Sequence, residues 1–69
     1  MMKFQVTFFS EKYKPVACIV ESESRLEILN KGKAYKKALE KICSKRNWSL
    51  SMMKSYGYTT FKVRRAEEE

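Results

Sequence analysis

Ser24-Arg25-Leu26-Glu27-Ile28-Leu29-Asn30-Lys31-Gly32-Lys33-Ala34-Tyr35-Lys36-Lys37-Ala38-Leu39-Glu40-Lys41-Ile42-Cys43-Ser44-Lys45-Arg46 is the stretch that decides the fold. Ser24 and Glu27 have the spacing of a capping box, in which each side chain satisfies a free backbone N–H at a helix start. At about 100° per residue, Ile28, Gly32, Tyr35, Leu39, Ile42 and Cys43 fall on one side, with Leu29 and Ala38 flanking them. That broad apolar stripe predicts one long amphipathic helix lying on a sheet. Lys33, Lys37 and Lys41 recur every fourth residue on the opposite side. Lys45 and Arg46 occupy the last turn, where cations favour the negative end of the macrodipole. Asn30 and Gly32 are the weak point, because glycine costs about 1 kcal/mol relative to alanine inside a helix. They open a second reading, a short turn over Arg25–Leu29 followed by a shorter helix capped by Asn30. In an unbroken helix, Gly32 would allow close approach to a strand beneath it.

The charge is concentrated in the same stretch. Residues 24–46 carry eight basic and two acidic side chains, net +6, out of +7 for the whole chain. Residues 1–23 are neutral overall, with three of each sign. Residues 47–69 add four basic and three acidic groups. Charge focused on one element predicts one face of strongly positive potential, the footprint of a polyanion partner. The competing reading is a solvated lysine face that keeps a small domain soluble.

Sixty-nine residues make one domain, near the lower limit at which a core is self-sufficient. Apolar residues make up 43% and aromatics 13%, too many for a disordered chain despite 33% charged residues. No apolar run is long enough to span a membrane. The start, Met1-Met2-Lys3-Phe4-Gln5-Val6-Thr7, lacks the apolar core of a signal peptide, so the cytoplasm is the expected compartment. Residues 1–66 are expected to form the domain, and Glu67-Glu68-Glu69 a disordered acidic tail.

Phe4, Val6 and Phe8 alternate with polar residues, the pattern of a half-buried strand. Residues 10–14 read as a hairpin loop, with Pro15 entering the next strand. Val16-Ala17-Cys18-Ile19-Val20 is a continuous apolar run, as in a central strand or one covered on both faces. Beyond Arg46 the pattern is ambiguous. Trp48, Leu50 and Met52 alternate as in a strand. A short helix is favoured, because Ser49 can cap it, Leu50, Met53 and Tyr56 keep helical spacing, and Gly57 can stop it. Tyr58 to Arg65 reads as a strand, with Thr59, Phe61 and Val63 on one face and Tyr58, Thr60, Lys62 and Arg64 on the other. The expected class is α+β in the order β-β-α-(α or β)-β. It is a small antiparallel sheet of three strands, or four, with one long helix and a short second helix on one face.

The composition argues against catalysis. The chain has no histidine and no aspartate, which removes the usual general base and the catalytic triads. Cys18 and Cys43 cannot complete a four-ligand zinc site without histidine, so no metal is expected. Both lie in apolar contexts and read as small buried hydrophobes, although the two could face each other across the sheet–helix interface. Gly32 and Gly57 make no phosphate-cradling loop, and no cofactor is expected. The protein is therefore read as a non-catalytic binding module.

Two binding readings follow. In the first, Lys33, Lys37 and Lys41 contact nucleic-acid phosphates, with Lys36, Lys45 and Arg46 at the edges. Tyr58, Lys62 and Arg64 on the outer face of the last strand add stacking and further cations. Lysine suits phosphate positioning better than base reading, so the binding would be weak, sequence-tolerant and salt-sensitive. Tyr56-Gly57-Tyr58-Thr59-Thr60-Phe61-Lys62-Val63 resembles the RNP1 strand of RNA-recognition motifs at Gly57, Tyr58 and Phe61 alone. The chain is short for that fold and its element order differs, so nothing of that family is carried over. In the second reading the uncovered sheet face, with Phe9, Tyr13, Ala17, Ile19 and Tyr58, binds a protein partner or a second copy, and the lysines only confer solubility.

Overall fold

The computed structural model describes residues 1–66, and the tail at 67–69 lies outside the described residues. Strands β1 (Met2–Phe9) and β2 (Val16–Ser22) are followed by helices α1 (Arg25–Leu29), α2 (Lys33–Arg46) and α3 (Leu50–Ser55), then strand β3 (Thr60–Arg65). The sheet is antiparallel with strand order β2-β1-β3, and the helices cover one face. The class is the α+β one expected, with three strands and a short helix where the sequence was ambiguous. Ser49 caps α3 by accepting from the Met52 N–H at 3.2 Å.

β1 is the central strand. Phe4, Val6 and Phe8 point into the core and pair across with Val20, Cys18 and Val16 on one side. On the other side Val6 faces Val63 and Phe8 faces Phe61. The expectation of a central β2 is corrected: β2 lies at the edge of the sheet. Its residues alternate, with Val16, Val20 and Ser22 buried while Ala17, Ile19 and Glu21 face outward. An apolar run can therefore serve an edge strand when its outward members are small or only partly covered.

The single long helix is also corrected. Lys31 takes a left-handed φ of 60°, the Lys31 N–H donates to the Ile28 carbonyl, and the Gly32 N–H donates to the Glu27 carbonyl, each at 2.9 Å. These two bonds form the closing pattern of a Schellman motif, so the helix ends there and α2 restarts after Gly32. Gly32 is needed for close approach, but to Glu27 rather than to a strand. A Cβ on it would lie 2.8 Å from the Glu27 Cγ and 3.0 Å from the Glu27 carbonyl oxygen. A lysine in the left-handed region costs about 1 kcal/mol or more, and glycine does not incur that cost. Lys31→Gly is accordingly expected to raise stability by about 0.5–1 kcal/mol, read as a higher urea midpoint at unchanged slope. A lower midpoint would contradict the strain at this turn.

The capping box is relayed. The Ser24 hydroxyl accepts from the Glu27 N–H at 3.2 Å, as its spacing predicts. The Glu27 carboxylate, however, lies 2.6 Å from the hydroxyl of buried Ser22, which in turn accepts the Ser24 N–H at 3.3 Å. Ser22 thus stands between the two halves of the box and ties the end of β2 to the start of α1. Among the described residues, no buried side-chain nitrogen or oxygen lacks a hydrogen-bond partner.

Candidate nucleic-acid interface

Ala34, Ala38 and Ile42 are buried and seat α2 on the sheet, with Tyr35 and Leu39 half-buried beside them. This leaves Lys33, Lys37 and Lys41 exposed and facing one open cleft of about 990 Å³, bordered by Ile19, Val20 and Glu21 of β2. The Lys41 ammonium donates to the Ile19 carbonyl at 2.7 Å, which satisfies a carbonyl of the edge strand. By covering part of that open edge from α2, the ammonium also discourages pairing with another chain. Two of its three N–H groups remain for other partners. Glu21, Glu23 and Glu27 line the same cleft, so the positive potential there is moderated on the β2 side.

The other cations expected to join them are distributed over different surfaces. Lys36 lines a second cleft, of about 490 Å³, together with Lys31, Lys54, Tyr35 and Leu39. Arg46 lines a third, and Lys45 is exposed in the last turn of α2. Lys62 and Arg64 are exposed on the uncovered sheet face, opposite Thr7 and Gln5 of β1. The nine residues singled out from the sequence therefore do not form one surface. The ridge Lys33, Lys37 and Lys41 is the group that the fold brings together in one cleft.

Tyr58 is a correction. It precedes β3, is 8% exposed, and its hydroxyl donates to the Lys14 carbonyl at 2.6 Å. Gly57, with φ of 87°, turns the chain so that Tyr58 enters the core instead of projecting from the strand. The open sheet face is likewise less apolar than expected. Ala17 and Ile19 sit opposite Thr7 and Gln5, Phe9 sits opposite Thr60, and Tyr13 packs on Tyr56.

A third cleft, of about 530 Å³, is formed where the β1–β2 loop meets the turn between α2 and α3. It is lined by Tyr13, Lys14, Pro15, Val16, Arg46, Trp48, Tyr56 and Tyr58. Trp48 meets Tyr56 edge-on at 5.2 Å, Tyr56 meets Tyr13 edge-on at 5.2 Å, and the Arg46 guanidinium lies 5.4 Å from the Trp48 ring centre. Asn47, at a left-handed φ of 60°, ends α2 and delivers Trp48 to this place. The Ser10 hydroxyl fixes the loop by donating to the Tyr56 carbonyl at 2.6 Å. The cleft has no contiguous signature in the sequence, because its residues come from three separate segments. The aromatics at 13, 48, 56 and 58 were the available signal.

The two cysteines are free thiols. Burial pushes the Cys18 thiol up from its ordinary pKa, with Lys41 drawing it partly back, and burial also raises Cys43. Cys18 lies against the Ala38 carbonyl and Cys43 against the Met53 sulfur. Both thiols therefore stay protonated at neutral pH and make poor nucleophiles. Among the described residues, no three His, Cys, Asp or Glu side chains stand together as a metal site, and no helix is long and apolar enough to cross a membrane.

The fold and its surfaces define a small basic α+β domain with a three-stranded antiparallel sheet covered on one face by helices. Comparison with family models, with curated proteins and with solved structures found no match in any of the three.

Proposed function

We propose that this protein is a non-catalytic module that binds nucleic acid weakly and without sequence preference through the cationic face of α2. The observation that carries this reading is the density of charge on one rigid element. The fourteen residues of α2 hold six basic side chains and one acidic one, and Lys33, Lys37 and Lys41 share a cleft. Lysines at four-residue spacing stand about 6 Å apart along a helix, a spacing suited to successive contacts on a charged polymer. They supply point charges without a base-reading fork, so affinity would come from counterion release.

Electrophoretic mobility shift with random-sequence DNA and RNA tests the proposal. A complex is expected at 50 mM salt that weakens by more than tenfold at 200 mM. Changing Lys33, Lys37 and Lys41 to Gln should weaken the complex by more than tenfold at 50 mM salt while the circular dichroism stays native, because all three side chains are exposed. An unchanged shift in that triple variant would remove the ridge as the site. If no complex forms and the protein sediments as a dimer, the open sheet face becomes the better account.

A further inference from the structure

We infer that the cleft between the β1–β2 loop and the α2–α3 turn is a stacking subsite for the unpaired bases of a single-stranded nucleic acid. The inference rests on the nucleic-acid reading above and specifies the form of the ligand. Tyr13 is 53% exposed although it is aromatic, and it stands on Tyr56 at the mouth of the cleft. Trp48 is half-buried and carries the Arg46 guanidinium over its ring. Aromatic faces and arginine planes are the two surfaces on which splayed-out bases stack. A duplex keeps its bases stacked on one another and cannot offer them to such a cleft.

The charge around the cleft selects among flat or rigid ligands. Lys14 and Arg46 line it, and no acidic side chain among the described residues does. An aromatic groove of this kind could also seat a polyproline helix, which is neutral along its backbone and gains nothing from two cations. A base joined to phosphate matches both features at once, its ring on Tyr13 or Arg46 and its phosphate on the flanking cations. The cleft volume of about 530 Å³ lies within the range of small-ligand sites.

Trp48 is the only tryptophan in the chain, so its fluorescence reports from the cleft itself. The test titrates the intact protein with a fluorescein-labelled oligothymidylate, with a duplex of equal length, and with an oligoproline peptide. Anisotropy of the label follows binding, and Trp48 emission follows occupancy. The single strand is expected to quench Trp48, and the duplex to bind without quenching. Tyr13→Ala, at an exposed loop position, should weaken the single strand about tenfold and leave the duplex unchanged. Binding of the single strand with no quenching and no effect of Tyr13→Ala would overturn the subsite while leaving the α2 reading intact. No anisotropy change with either nucleic acid would overturn both. Quenching by oligoproline alone would reassign the cleft to a proline-rich peptide.

Discussion

Phe8→Ala is expected to leave the domain largely unfolded at 25 °C. Phe8 is 2% exposed near the end of the central strand, and its ring meets Tyr35 of α2 and Phe61 of β3, each at 5.8 Å. Tyr35 and Phe61 also meet each other at 4.9 Å, so the three rings join the sheet to the helix that carries the lysines. Removing a buried phenylalanine costs about 3–5 kcal/mol, from lost transfer energy and the cavity left behind. A core of this size supplies a net stability of about 3–5 kcal/mol in total. The two magnitudes are equal, so a urea titration followed by circular dichroism should lose its native baseline. A cooperative transition within about 1 kcal/mol of the wild-type value would show that the three-ring cluster is not the centre of the core.

The second large effect is expected at Ser22. Ser22→Ala removes a buried hydroxyl that serves both the Glu27 carboxylate and the Ser24 N–H. A polar group left without its partner costs about 1–3 kcal/mol, and the bond to a charged group lies toward the upper end. Glu27→Gln keeps an acceptor for the hydroxyl and should cost less than Ser22→Ala. The double change should cost less than the two single costs added together, because both act on one network. Equal stability of Ser22→Ala and the wild type would mean that water or a neighbour replaces the relay without loss.

A few residues decide how much of this fold is legible in the sequence. Alternation at Phe4, Val6 and Phe8 and at Phe61 and Val63 marked both strands because it runs through aromatic and β-branched residues, whereas the same alternation at Trp48, Leu50 and Met52, without β-branched residues, lies in and before a helix. Ser49 and Gly57 bracketed α3 because caps are local chemistry. Ser22 shares the inward parity of Val16, Cys18 and Val20, but a serine at the end of a strand gives no sign of a buried relay. The break near Asn30 and Gly32 was legible as the second of two readings, but Asn30 closes α1 and Gly32 precedes α2, because the left-handed turn falls on Lys31 between them. Tyr58 was misplaced because its destination depends on Gly57 and on a hydrogen bond to Lys14, 44 residues away. The charge total on α2 was readable, but its sorting into three clefts was not. Which neighbour each lysine meets depends on the rotation of the helix against β2 and α3, and periodicity alone fixes only the angle between residues. Lys62 and Arg64 were correctly placed on the outward face of β3, but that face is separate from α2.

The salt dependence of binding tests most directly whether α2 holds nucleic acid. The association constant for a short single strand should be measured between 50 and 300 mM salt for the wild type and for the variant with Gln at 33, 37 and 41. If the ridge makes the contacts, the slope of log K against log salt should become shallower by about 2, roughly 0.7 per lysine removed. An identical slope in the two proteins would contradict the account.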